Sequence, residues 1–319
     1  MKSSYIISNG NLEAAAIEQA VIIHYNNPSE IERTELVAEW NLEPEEVDAI
    51  FDPDEVPRID YSPERTFIIW KRPDNVSLAG VIQFEVSSIG LILKKDKAVV
   101  VTPKSELSLM GKEFRRMSSP LDFCLHVMLS TIHHYHGHLK TIKMMANDLE
   151  SKLMHSMENR YLLQMFAIGE SLVYYLNALE SNDTILHKMR AMAERLGFNS
   201  NEIEKLENVM IENQQAAKQA RIYSSVLSGL MDARGTIINN NMNVLLKNLT
   251  IINVVFLPLN LIASIGGMSE FTMMTEGIDW RISYSVFMLA MIVLGLLTWL
   301  WLVRAIDRWG NMNKRRFKS

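Results

Sequence analysis

The chain has 319 residues, 48% of them hydrophobic, and a formal net charge of −5, which allows one large domain or two smaller ones. Its acidic balance argues against nucleic-acid binding, which needs a basic footprint. The single cysteine, Cys124, excludes an intrachain disulfide and suits a reducing cytosol.

The first residues, MKSSYIISNGNLEAAA, hold no apolar core of the signal-peptide type, so the N-terminal part is expected to stay untranslocated. Over residues 1–118, the runs YIIS, AVIIHY, TFIIWK, VIQFEV, IGLILK and AVVVT are β-branched and aromatic and predict strands. Between them, PSEIERTELVAEWNL and EPEEVDAIF repeat apolar residues at helical spacing. The proline-punctuated DPDEVPRIDYSPE predicts a loop with a short strand inside it. The expectation is an α/β domain. It carries no phosphate-cradling glycine loop and no nucleophile elbow. With no nucleophile–base pair elsewhere in the chain, no enzyme and no bound cofactor are expected.

Over residues 119–200 the strand signals stop, and two long antiparallel helices are predicted, broken around Leu179–Asp183. A second break is expected at Gly197–Asn201, with Asn201 and Glu204 spaced as a capping box for the next helix. Five histidines crowd one stretch here: His126, His133, His134, His136 and His138. His134 and His138 stand four apart, a spacing that can share a metal on a helix, but Gly137 is expected to interrupt that helix. A solvated or interfacial face is therefore the first reading, and a metal sensor at His134 and His138 the second.

From Asn201 no proline occurs until Pro258, so one helix is predicted over 201–266, about 100 Å long at ~1.5 Å per residue. Its last part, about 249–266, is a membrane-grade apolar run that nonetheless keeps polar residues at helical spacing. Asn239, Asn243, Leu246, Thr250, Asn253, Leu257, Asn260 and Ser264 fall on one face. A lone helix does not carry amides into lipid, because each unpaired group costs several kcal/mol there. Several copies around an axis turn the stripe into a wet, neutral, oxygen-lined pore. An ion-conducting oligomer is the expectation.

Residues 267–281 form an acidic loop with Glu270, Glu276 and Asp279 against Arg281. Residues 282–303 are an uncharged second span, ~33 Å long, with Trp280 and Tyr284 at one end and Trp299, Trp301 and Trp309 at the other. Residues 304–319 are a basic tail of Arg304, Arg308, Lys314, Arg315, Arg316 and Lys318 against Asp307. By the positive-inside rule both termini face the cytoplasm and the acidic loop faces out.

The motifs GLMD (Gly229–Asp232), NVLLKNLTII (Asn243–Ile252), FLPLN (Phe256–Asn260) and IGGMS (Ile265–Ser269), with the layout of a soluble part and two C-terminal spans, resemble the CorA family of divalent-cation channels and transporters. The resemblance implies a funnel-shaped homopentamer in the inner membrane, opened as cytoplasmic metal falls. Its partners are the lipid bilayer and divalent ions, and no nucleic acid. It implies an ion pathway of Asp232, Asn243, Leu246, Leu249 or Thr250, Asn253, Leu257, Asn260 and Ser264, with Gly267, Met268 and Ser269 at the mouth. The family signature has asparagine where this chain has Ser269. Magnesium is the expected ion; a zinc, cobalt or nickel transporter of the ZntB kind is the runner-up. A non-conducting, membrane-anchored scaffold or sensor is the reading from another class.

Overall fold

The computed structural model describes residues 1–78, 81–104, 107–109, 111, 113–155 and 159–316. They form two compact units, Met1–Met231 and Asp232–Ser319.

The first unit is built on a seven-stranded sheet of β1 (Lys2–Ser8), β2 (Asn11–Ala14), β3 (Ile22–Asn26), β4 (Arg58–Tyr61), β5 (Thr66–Leu78), β6 (Val81–Lys94) and β7 (Lys97–Thr102), in the order β2-β1-β3-β7-β6-β5-β4. Only β3 and β7 pair in parallel; all other pairs are antiparallel. On one face lie α1 (Glu30–Trp40) and α2 (Pro44–Phe51), whose Leu36, Trp40, Val47 and Ile50 meet Ile23, Phe67, Ile69 and Val99. On the other lie α3 (Pro120–His155), α4 (Asn159–Ala191), α5 (Ala193–Leu196) and the start of α6 (Ser200–Gly266). There Phe123, Val127 and Ile132 pack on the alternate residues Ile22, Ile68, Trp70 and Val100. Because both faces of the central strands are covered, those strands are apolar throughout rather than alternating.

Several expectations are corrected. VIQFEV and IGLILK belong to one strand, β6, paired with β5 from Thr66↔Leu93 to Leu78↔Val81. The strand β2 was not expected, although Asn9 (φ 50°) and Gly10 (φ 77°) are the Asn-Gly pair that favours a two-residue hairpin turn. The predicted break at Leu179–Asp183 does not occur, because α4 runs through it. The polar residue there is used inside: the Asn182 amide donates to the Lys71 carbonyl at 2.8 Å and accepts from the Lys71 N–H at 3.0 Å. Lys71 lies beyond the last pair of β4 with β5, Arg58↔Ile69, so its edge has no strand partner. A fully buried asparagine supplies the missing ladder bonds. α3 is described as far as His155 and α4 from Asn159; residues 156–158 lie outside the described residues. Gly137 does not interrupt α3 either.

The next helix begins earlier than expected. Gly197 takes the left-handed conformation (φ 79°) after α5, and the capping box is Asn199 with Glu202, not Asn201 with Glu204. Glu202 is chosen because it is buried and also accepts from Ser119 Oγ. One turn on, Lys205 Nζ reaches both oxygens of Asp122 at 2.6 and 2.7 Å, so the starts of α3 and α6 are bound together. Burial alone would raise the Asp122 carboxyl, but hydrogen bonds from His126, Lys205 and the Ser118 N–H hold it well below the usual carboxylate range.

Two other histidines sit in the core of this unit. Burial, with the neighbouring Arg72 guanidinium, lowers His24 to about 4; burial, with His134 beside it, lowers His138 to about 4. Unfolding frees each to its ordinary value near 6.5, so the unfolded chain binds more protons between those values and stability falls as pH falls. Each histidine is expected to cost about 2 kcal/mol by pH 5. The thermal midpoint of the purified chain should therefore drop steadily from pH 6.5 to 4. A midpoint flat over that range would contradict this account.

The second unit holds the rest of α6, then α7 (Ser269–Met274) and α8 (Trp280–Arg316). Residues 304–316 of the predicted tail continue α8 as helix, and residues 317–319, with Lys318, lie outside the described residues. Among the described residues three helices are long and apolar enough to cross a membrane: Arg160–Ala191, Ser200–Gly266 and Trp280–Leu302. The first of these, α4, buries Met165, Ile168, Leu172, Tyr175, Leu179 and Leu186 inside the first unit and leaves Leu163, Phe166, Val173 and Tyr174 exposed.

Candidate functional site

The site grows from the helical period of α6. Between Ile251 and Gly266, the residues turned toward α8 are Ile251, Val255, Leu259, Ile262 and Gly266, all buried or half-buried. The matching stripe on α8 is Ser283, Phe287, Met291, Gly295 and Thr298, half-buried at every fourth or third position. A Cβ built on Gly295 would lie 3.2 Å from Leu259 Cδ1, and one on Gly266 would meet Phe287. Later residues of one helix thus meet earlier residues of the other, an antiparallel pair.

At ~100° per residue, this packing face is centred roughly 180° from the polar stripe. Asn239, Asn243, Leu246, Thr250, Asn253, Leu257, Asn260 and Ser264 are all exposed, as are Leu249 beside them and Asp232 at the start of the unit. The sequence-derived face is therefore brought together along one line and left uncovered by α8. Between the two faces lie Ile252 and Phe256 on one flank and Val254, Leu261 and Ile265 on the other, large apolar side chains that are 44–65% exposed. Only the polar face is without bulky hydrocarbon over most of its length.

The oxygens of that face keep their accepting capacity. Thr250 Oγ1 donates to the Leu246 carbonyl and Ser264 Oγ to the Asn260 carbonyl, both at 2.8 Å. Each hydroxyl proton is thus spent within the helix, and its lone pairs face outward. Among the described residues the side-chain amides of Asn243, Asn253 and Asn260 make no hydrogen bond. Such a line of neutral acceptors can take hydrogen bonds from the water shell of a small hard cation without holding the ion as carboxylates would. Pro258 removes the N–H that would serve the Val254 carbonyl, a loss that packed neighbours in a membrane can make good.

At its C-terminal end α6 stops at Gly266, and Gly267, Met268 and Ser269 follow, all exposed. Ser269 Oγ donates to Glu270 Oε2 at 3.3 Å. All three loop acids are exposed, and Asp279 also caps α8 by accepting the Arg281 N–H at 2.9 Å. Sequence reasoning treated the three alike and missed that last role.

The histidine cluster is dispersed. His126 contacts Asp122, His133 contacts Glu113 at 2.8 Å and His136 contacts Glu212 at 3.3 Å, so carboxylates stand near, but each beside a different histidine. His138 faces inward onto the Tyr175 hydroxyl at 2.5 Å, with the His134 ring edge-on to it. Burial, and then Arg72, lowers His134. Among the described residues no group of three or more histidine, cysteine or acidic side chains is placed to hold a metal ion.

The chain matches the family model described as CorA-like Mg2+ transporter protein over residues 18–304. The cobalt/magnesium transport protein CorA of Methanocaldococcus jannaschii is 22% identical over 222 residues, which cover 68% of this chain and 70% of that protein. Among solved structures, the complete CorA magnesium transporter from Methanocaldococcus jannaschii matches with a TM-score of 0.74 at 17% identity, covering 95% of this chain and 96% of that one. Full-length CmaX matches with a TM-score of 0.71 at 12% identity, covering 96% and 97%. The ZntB cytoplasmic domain from Vibrio parahaemolyticus matches with a TM-score of 0.58 at 10% identity, covering 75% of this chain and 98% of that domain. At these identities the structural likenesses establish the fold.

Proposed function

We propose that this chain, which belongs to the family of CorA-like Mg2+ transporter proteins, conducts hydrated divalent cations, magnesium first, through a pore lined by the polar stripe of α6. The observation that carries the reading is the opposition of the two faces of α6. With α8 on one side, a face of amides and hydroxyls on the other has no place in lipid and needs copies of itself around water. The apolar flanks then meet neighbouring copies, and five-fold closure is the number we adopt.

In this reading α6 from about 249–266 and α8 over 282–303 are the two spans, and α4 stays in the cytoplasm. Both termini are cytoplasmic, as the basic end of α8 requires at an inner membrane. Asn239, Asn243, Asn253, Asn260, Thr250 and Ser264 receive the ion's water shell, with Asp232 at the cytoplasmic approach. Leu246, Leu249 and Leu257 form apolar constrictions that close by dewetting. Gly267, Met268 and Ser269 form the outer mouth, where Glu270 and Glu276 raise the local cation concentration. The driving force is the membrane potential, about 2.3 kcal/mol per charge for every 100 mV. Bound cytoplasmic metal holds the pore shut, and its loss opens it. Transport, not catalysis, is the activity.

The test is flux into proteoliposomes under an inside-negative potential, comparing magnesium, zinc, cobalt and nickel. Magnesium entry without a proton gradient is the expected result. Zinc flux that steepens with a proton gradient would replace magnesium by a proton-coupled zinc route. No flux of any divalent ion would leave a membrane-anchored scaffold or sensor.

A further inference from the structure

The last residue of α6 is where the two helices of the second unit come closest. A Cβ built on Gly266 would lie 2.5 Å from Cζ of Phe287 and 2.9 and 3.1 Å from its two Cε atoms, well inside the ~3.5–4.0 Å at which carbon atoms pack. The ring occupies the space a side chain would need, so any group larger than hydrogen at position 266 must displace it. Gly266 is buried, while Gly267, Met268 and Ser269 directly after it are exposed.

The chain leaves this contact without slack. The Gly267 N–H donates to the Ala263 and Ser264 carbonyls at 3.1 and 3.2 Å, and the Met268 N–H to the Ile265 carbonyl at 3.1 Å, a tightened final turn. On the other side the Asp279 cap fixes the start of α8 about two turns before Phe287. Residues 267–286, the connection with α7 and the first two turns of α8, are thus closed at their base by the Phe287 ring against the Gly266 backbone.

We propose that Phe287 is the positioning residue of the outer mouth: its ring, seated on Gly266, sets the level at which Gly267, Met268 and Ser269 leave the helix. This rests on the pore reading above, since it makes α8 the part that holds the mouth in register for an arriving hydrated ion. A methyl group at 266 must push the ring away by about 1 Å to reach ordinary contact, and displacements of that size are enough to change a binding geometry severalfold or more. Leucine at 287 ends at its Cδ atoms and lacks the Cε and Cζ atoms that would clash, so it makes room for the methyl group.

The experiment uses the full chain in liposomes carrying Ser269→Cys, with a membrane-impermeant thiol reagent added outside; Cys124 is fully buried and stays silent. Gly266→Ala is expected to change the modification rate at Ser269→Cys about fivefold or more, and Gly266→Ala with Phe287→Leu to return it to within about twofold of the parent. In the Ser269 background, the same pair should raise and then restore the magnesium concentration for half-maximal flux, by about tenfold, with the maximal rate changed less. An unchanged modification rate in Gly266→Ala, or a double variant no nearer the parent than the single one, overturns the proposal. A parent chain without divalent flux overturns the pore reading instead, and the thiol rates still decide the positioning role.

Discussion

Replacing Asn253 by leucine is expected to lower divalent flux by about 100-fold or more while leaving the chain folded and inserted. Asn253 is exposed on the polar face of α6, well away from the Ile251 and Val255 side that packs on α8. Packing within one chain is therefore little disturbed. In a closed ring each copy loses one acceptor for the ion's water shell. A net hydrogen bond is worth about 1 kcal/mol, and a barrier rise of ~2.7 kcal/mol, from a few of them together, is a factor of about 100. Asn253→Ser keeps an oxygen at the position and should lose about tenfold or less. Flux is measured in proteoliposomes, with thermal melting to confirm folding. If the leucine variant conducts like the parent, the stripe is not the pathway. Asn243 and Asn260 should behave as Asn253 does, and Ser269→Asn at the mouth should alter the order of preferred ions less than any of these.

The second large effect lies in the first unit. Asp122→Ala should destabilise the chain by about 3 kcal/mol, because it leaves the cation of Lys205 and the N–H of Ser118 facing a site that has lost its carboxylate. Asp122 is fully buried whereas Lys205 is 37% exposed, so the lysine can partly re-solvate, and the cost falls at the low end for a broken buried pair. The held-down carboxyl adds a pH signature. Its folded value lies below the unfolded ~3.9, so the stabilisation is complete above that value and is lost as pH falls further. Denaturant melts of the parent and Asp122→Ala should therefore converge only at strongly acid pH. Equal stability of the two at pH 7 would mean that the Asp122–Lys205 link does not join α3 to α6.

Local chemistry in the chain was enough for most of the architecture. Strand runs such as AVIIHY and AVVVT, the long apolar C-terminal helices, the uninterrupted α6 and the polar stripe are all patterns of neighbouring residues, and neighbouring residues are what set backbone preference and helix faces. The stripe in particular follows from the helical period alone, since Asn253 and Asn260 occupy one face in any α-helix. The signals that were misread involve polar residues with distant partners. Asn182 has the local look of a helix break, yet it stands mid-helix because the open edge of β5 at Lys71 needs a donor and an acceptor. Asn199 and Glu202 take the cap from Asn201 and Glu204 because Ser119, far away in sequence, supplies the buried glutamate with a partner. The close histidines divide among Asp122, one turn away in the same helix, and Glu113, Glu212 and Tyr175, which come from three other parts of the chain.

So the sequence by itself determined which residues are apolar, which are helical, and that one face of α6 is polar. Only the tertiary structure decided which face of α6 lies against α8 and that a side chain at position 266 would run into Phe287. The physical reason is that propensity and periodicity are written in residues a few positions apart. Close packing and the pairing of buried polar groups depend instead on atoms brought together from distant parts of the chain.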